Sequence, residues 1–213
     1  MNDKVEELRQ QATAGDVEAQ YQLGLKLDNG AAPTGEPPPV SPAEPAEPAG
    51  RQPVEAAYWY RLAAEQGHAA AQLHLGLMYD TGDGVEKDEA VAAEWYRQAA
   101  GQGIVDAQVN LGLMYVNGTG VARNDSAAVQ CFRLAAAAGH PQAQFNLGAM
   151  LYNGVAGEPD LGEVYQWWTL AAMQGHPSAQ QNLEIITGKL SRQQITEVQA
   201  TVAEFMHGQS GQE

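Results

Sequence analysis

The chain has 213 residues, 44% of them hydrophobic, and 26 acidic against 11 basic side chains give it a formal net charge of −15. That apolar content suits a folded chain, while a negative field of this size repels phosphate backbones and anionic headgroups, so neither nucleic acid nor a membrane surface is an expected partner. No stretch approaches the roughly 18 apolar residues of a membrane helix, "MNDKVEELRQ" lacks the apolar core of a secretory signal, and the single cysteine, Cys131, cannot form an internal disulfide; the expected location is the cytoplasm.

At the N-terminus, Asp3 and Glu6 have capping-box spacing, and Val5, Leu8 and Ala12 make one helical stripe. Residues 3–15 are therefore expected to form a capping helix, equivalent to the second helix of a missing unit. From there the chain repeats itself. "AQLHLGLMYDTGDGV" at Ala71 returns as "AQVNLGLMYVNGTGV" at Ala107, and Ala-Gln pairs stand at 19, 71, 107, 143 and 179, so three intervals are thirty-six residues and the first is sixteen longer. A fixed period of this length is the mark of stacked structural units.

The extra length lies in residues 31–53, which hold eight of the eleven prolines. That composition forbids a helix interior and favours polyproline II, so the segment reads as a surface insert within repeat 1, residues 17–68. Its prolines at 39, 42, 45 and 48 are only loosely spaced like a ligand of an aromatic-lined groove, and its glutamates weaken that reading.

Repeat 2, residues 69–104, shows the unit most clearly. Ala71, Leu75, Met78 and Tyr79 fall on one face of a first helix, A, with Gly76 beside them where another helix must come close. The loop "TGDGV" reverses the chain, and Ala92, Trp95, Tyr96, Ala99 and Ala100 recur at helical spacing in a second helix, B, which stops at Gly103. Repeats 3 and 4, residues 105–140 and 141–176, follow the same plan, and proline after "GH" ends helix B in "RLAAAAGHP" and "TLAAMQGHP". Residues 177–188 form a partial unit in which Glu184 replaces the packing glycine. In "LSRQQITEVQATVAEFM", Ser191 and Gln194 make a capping box and Leu190 can staple against Ile195, so residues 191–206 are expected to form a terminal capping helix, with 207–213 disordered.

The register of Ala-Gln-x-x-Leu-Gly-x-x-Tyr, a glycine turn, then Ala-x-x-Trp-Tyr-x-x-Ala-Ala-x-x-Gly resembles the Sel-one-like repeat, a relative of the tetratricopeptide repeat. Leu23-Gly24, Leu75-Gly76, Leu111-Gly112 and Leu147-Gly148 carry it, with Trp59-Tyr60, Trp95-Tyr96, Cys131-Phe132 and Trp167-Trp168. The resemblance implies an all-α fold, a right-handed α-solenoid of antiparallel helix pairs, whose A helices line a concave groove that holds peptides or assembles other proteins. A cysteine-rich branch of that family, reported to bind or slowly hydrolyse β-lactams, ties each repeat with a disulfide; Cys131 stands alone, which speaks against that alternative. A regulatory subunit of a larger complex is the other alternative.

Chemistry is sparse. "DTG" at Asp80 matches the aspartic-protease tripeptide, but the other repeats read "VNG" and "YNG", so a carboxylate pair is missing. His68, His140 and His176 recur one repeat or more apart, too far for shared metal ligation, and read as helix-end residues. The chain is expected to be no enzyme, to need no cofactor and no metal, and to be a monomer. The informative surface is the second face of helix A. Tyr21, Leu25, Leu73, Leu77, Val109, Leu113 and Phe145 are expected to offer apolar contacts to a bound protein segment. Gln22, His74, Asn110, Asn146 and Asn182 form an adjacent row whose amides carry donor and acceptor together, as a peptide group requires. That these side chains bond neighbouring helices instead is the equal alternative.

Overall fold

The computed structural model describes residues 2–30, 52–155 and 157–210, and every regular element among them is a helix. In chain order these are α1 (Asn2–Thr13), α2 (Val17–Asp28), α3 (Pro53–Glu65), α4 (Ala69–Thr81), α5 (Glu89–Gly101), α6 (Val105–Asn117), α7 (Asp125–Ala137), α8 (Pro141–Tyr152), α9 (Leu161–Met173), α10 (Pro177–Thr187) and α11 (Arg192–Ser210). Helices α2, α4, α6 and α8 are the A helices of the four repeats, and α3, α5, α7 and α9 are the B helices. The chain divides into two compact lobes. One comprises residues up to Ala107 with Thr119–Val121, and the other Gln108–Gly118 with Ala122–Glu213. In the first lobe α1 packs on α2, α2 on α3, α3 on α4 and α4 on α5; in the second, α7 packs on α8, α8 on α9 and α9 on α10.

The Leu-Gly pairs explain the hairpins. Leu23, Leu75, Leu111 and Leu147 are buried, and beside each the glycine lets an aromatic ring of helix B lie against the backbone of helix A. A Cβ on Gly24 would stand 2.7 Å from the Tyr60 ring, on Gly76 2.7 Å from Tyr96, on Gly112 2.7 Å from Phe132, and on Gly148 2.6 Å from Trp168. No real Cβ tolerates such a distance, so the glycine and the ring are one packing device repeated four times. The second residue of each aromatic pair fills this place, and here Phe132 serves as well as tyrosine or tryptophan.

A second device is the glutamine of each Ala-Gln pair. Gln20, Gln72 and Gln144 are buried, and each donates to a carbonyl in the last turn of the preceding B-type helix, at Ala12, Ala64 and Ala136, across 3.1, 3.1 and 3.2 Å. Carbonyls at a helix end have no partner within the helix, and the buried amide supplies one. Its own oxygen accepts from the glutamine that follows helix B of the same repeat, Gln66, Gln102 or Gln174. At the corresponding position of repeat 3 the chain has Ala138.

Several boundaries differ from those read in the sequence. Pro53, expected to close the insert, is the buried first residue of α3, where its fixed φ suits a helix start and its missing N–H is no loss. Residues 31–51, and with them the spaced prolines, lie outside the described residues. The first helix begins at Asn2, so Asp3 lies inside its first turn. At the far end α11 runs to Ser210, past Met206, because neither proline nor a glycine with positive φ interrupts it; 211–213 lie outside the described residues. Ser191 and Gln194 do form the capping box, the Gln194 oxygen accepting from the Ser191 N–H at 2.9 Å and Ser191 Oγ from the Gln194 N–H at 3.2 Å. Helix α11 then packs along α9, with Val202 buried and Phe205 edge-on to Trp167.

Candidate functional site: the A-helix face

The exposed row of the A helices is sharply defined. Leu77 and Leu113, one repeat apart in sequence, are 37% and 38% exposed, and Ile185 at the same register of α10 is 60% exposed, although Leu75, Leu111 and Ile186 nearby are buried. Leu25 occupies this row in repeat 1 and is half-buried against its lobe's core.

The neighbouring row, Tyr21, Leu73, Val109 and Phe145, is less available than its apolar character suggests. Val109 is 6% exposed, which removes it from the surface. Its β-branched side chain is short, and it is spent on packing. Tyr21 stacks on His68, centroids 4.3 Å apart, and Phe145 stacks on His176 at 4.3 Å. These aromatics therefore serve the junction with the following repeat and are half-buried there. Leu73 is half-buried.

The same histidines stand at helix starts. His68 Nδ1 accepts from the Ala71 N–H at 3.1 Å, His140 Nδ1 from the Ala143 N–H at 3.4 Å, and His176 occupies the equivalent N-cap position. The sequence placed them at helix ends; the structure adds that the side chains of His68 and His140 cap the next A helix, while those of His68 and His176 stack on a ring of the previous one.

The amide row splits. Gln22 donates to Glu18 within its own helix at 2.7 Å, and Asn146 Oδ1 accepts from Gln142 at 2.9 Å. His74 lies flat on the Tyr60 ring, 4.9 Å away at 12°, and its loss of water pushes its pKa down despite the nearby Asp28. Asn110 and Asn182 are half-buried and make no side-chain hydrogen bond among the described residues. The five side chains thus do not act alike: three are engaged within the fold, and two make no side-chain hydrogen bond among the described residues.

Helices α8, α9 and α10 enclose a hollow of about 190 Å³ lined by Ala149, Tyr152, Asn153, Trp168, Asn182 and Ile185. Of these, sequence reasoning singled out only Asn182 as a surface contact. A signal was there: the row Leu25, Leu77, Leu113 continues as Ala149, and the lost side chain leaves the space. Elsewhere Cys131 is half-buried, and desolvation pushes its thiol pKa up, away from thiolate chemistry. Asp80 accepts a long contact from the Tyr96 hydroxyl at 3.5 Å. Among the described residues no cluster of three metal-ligating side chains occurs, and no helix is long and apolar enough to cross a membrane.

Stacked helical hairpins with a glycine against an aromatic ring in every unit define a helical-repeat protein. The family model for the Sel1 repeat matches residues 17–38, 48–68, 69–104, 105–140 and 141–176, so the chain belongs to the Sel1 repeat family, whose members are generally protein-interaction scaffolds. A Sel1 repeat protein from Oxalobacter formigenes is similar at 30% identity and a TM-score of 0.68, over 80% of this chain and 63% of that one. A protective antigen of uropathogenic Escherichia coli strains, displaying an SLR fold, is 26% identical with a TM-score of 0.57, over 94% of this chain and 47% of that one. The chain thus spans about half to under two thirds of the length of these two structures. No curated protein matches it.

Proposed function

We propose that the chain is a non-enzymatic scaffold or adaptor that holds a segment of another protein, in extended form, against the A-helix face of its lobes. The observation that carries this reading is the row of Leu77, Leu113 and Ile185, large apolar side chains kept in water at equivalent places of three helices, each beside a buried one, Leu75, Leu111 or Ile186. Repetition distinguishes this from isolated surface leucines, which are ordinary. Leu25 and Leu73 extend the apolar contact in the first lobe, and the half-buried rings of Tyr21 and Phe145 add to it in the first and second lobe respectively. Asn110 and Asn182, with their amides unengaged, are suited to pairing with the segment's backbone. The chain acts as a monomer in the cytoplasm, and its charge of −15 directs it to protein rather than nucleic acid.

A photo-crosslinking amino acid placed at Leu77 or Leu113, with an equal substitution at the exposed helix B residues Glu65 and Glu94 as controls, tests this. Crosslinks to a defined protein, identified by mass spectrometry, are expected from the A-helix positions, and those from Leu77 should be lost on Leu73→Asp in a protein of unchanged helicity. Equal crosslinking from both faces would refute the reading.

A further inference from the structure

The hollow of the second lobe asks for a more specific ligand. Trp168 and Tyr152, with Ala149 and Ile185, make its apolar wall, and Asn153 and Asn182 supply amides that make no side-chain hydrogen bond among the described residues. A cavity of about 150 Å³ holds a benzene-sized molecule, so about 190 Å³ admits one aliphatic or aromatic side chain and little else. Lys189 lies at the rim. Its Nζ donates to the Tyr152 hydroxyl at 2.6 Å and sits 5.0 Å from the centre of that ring, yet it has no carboxylate partner among the described residues, on a chain with 26 acidic side chains. A neutral phenol holds the ammonium in place without neutralising it.

We propose that this hollow binds the C-terminal residue of a partner polypeptide. Its apolar side chain lies against Trp168, its free carboxylate pairs with Lys189, and its last peptide group pairs with Asn153 and Asn182. The proposal rests on the A-helix face being the protein-binding face. A chain terminus is the one peptide unit that carries an apolar side chain, a peptide group and an anion around a single Cα. An internal Asp or Glu would put its anion where the apolar side chain belongs and leave the hollow unfilled. The net negative charge does not forbid this, because at physiological ionic strength fields fade over about 8 Å and the adjacent ammonium dominates locally.

The test uses the full chain and synthetic arrays of random heptapeptides, one set presented with free carboxyl termini and the other anchored through them. Binding confined to the free set, at least tenfold stronger for Leu, Ile, Val, Met or Phe in the last position than for Gly or Asp, is expected. For the best free peptide, amidation of its terminus, Lys189→Gln and Ala149→Leu should each weaken binding at least tenfold. Ala149→Leu restores the side chain that the other repeats carry there, so it fills the hollow with a residue suited to the position; should it nevertheless unfold, exposed Lys189 decides. Equal binding of both sets, no preference at the last position, no heptapeptide bound at millimolar concentration, or a best peptide indifferent to Lys189→Gln would each overturn the proposal. Crosslinking from Leu77, in the other lobe, is independent of these variants, so its survival would show that only the terminal pocket has failed.

Discussion

The side-chain amide of Gln102 donates to Oε1 of Gln72 across 2.7 Å, thirty residues away in sequence, while Gln72 itself donates to the Ala64 carbonyl. Two glutamines thereby join the end of one B helix, the first turn of the next A helix and the turn that closes the same repeat. The arrangement recurs as Gln20 with Gln66 and as Gln144 with Gln174.

Gln72→Leu keeps the volume and removes these two bonds together with a third, donated to the Gln98 side chain at 3.2 Å. It leaves the Ala64 carbonyl and the Gln102 amide to find other partners. A buried polar group left unsatisfied costs about 1–3 kcal/mol. Urea unfolding should show a loss of that order, with Gln102→Ala alone losing less because its amide is at the surface. Equal and negligible losses for both would mean that water replaces the pair at no cost.

The glycine rule is open to a sharper test. Gly76→Ala puts a methyl group about where the Tyr96 ring now lies, and overpacking of this kind costs roughly 1–3 kcal/mol. Combining it with Tyr96→Leu relieves the clash, so the double variant should lose less than the sum of the two single ones. Strict additivity in a double-mutant cycle would show that the ring and the glycine are not coupled.

The repeat, its hairpins and these glycines were legible because they are written several times in register, and close packing leaves few alternatives at each recurrence. The functional rows were less legible, for a physical reason. Periodicity identifies a face but does not say how far a neighbouring repeat reaches over it, and the N-cap histidines cover Tyr21 and Phe145 in a way that no single helix pattern reveals. Val109 is lost from the surface for want of that same information. The hollow beside Trp168 depends on a departure from the pattern, Ala149, and Lys189 joins it only through the turn after α10. The loop glycines were read as turn formers, and Gly84 and Gly120 do have φ of 71° and 65°. They are also pressed against the start of the preceding B helix, where a Cβ would stand 2.3 Å from the Pro53 carbonyl group and 2.0 Å from the Glu89 carbonyl oxygen.

Removal of residues 33–48 should be nearly neutral. The Gln52 N–H donates to the Leu27 carbonyl at 3.2 Å, so the ends of the insert meet as closely as a hairpin requires. The deletion leaves a connection between Asp28 and Pro53 about as long as the one between Thr81 and Glu89. By loop-closure scaling, a connection three times shorter changes the closure entropy by only about 1 kcal/mol, in the stabilising direction. A melting temperature lower by more than about 5 °C would show that the segment contributes packing.

Arg9 and Glu55 form a buried ion pair, 2.6 Å long, between α1 and α3, and the Trp59 indole donates to the same carboxylate oxygen at 3.3 Å. Arg133, Glu163 and Trp167 repeat the arrangement between α7 and α9, more exposed. Breaking a buried pair by removing one partner costs about 3–5 kcal/mol, whereas an exposed one contributes about 0–1 kcal/mol. Glu55→Ala should therefore destabilise far more than Glu163→Ala in urea unfolding. Equal losses would mean that burial does not govern the difference.

Acid should weaken the fold before any carboxylate is protonated. His74 is stacked on Tyr60, and the loss of water around it lowers its pKa below the ordinary value near 6.5, with Asp28 only partly offsetting this; His176 is shifted the same way by burial. The unfolded chain takes up these protons as the pH falls through that ordinary value, while the folded chain takes them up only at lower pH. In that window the unfolded state binds more protons, so stability is complete above it and declines as the pH falls. Glu18, whose pKa is lowered chiefly by its hydrogen bond from Gln22 and then by His68, acts in the carboxylate range and does not overlap. Urea midpoints measured at about pH 7.5 and 5.5, on either side of the histidine range, should therefore fall on acidification. His74→Phe, which keeps a ring on Tyr60 and cannot titrate, should reduce the fall. An equal fall in wild type and variant would assign the acid sensitivity to His176 or to other groups, and no fall at all would mean that the buried imidazoles are protonated in the folded state as readily as in the unfolded one.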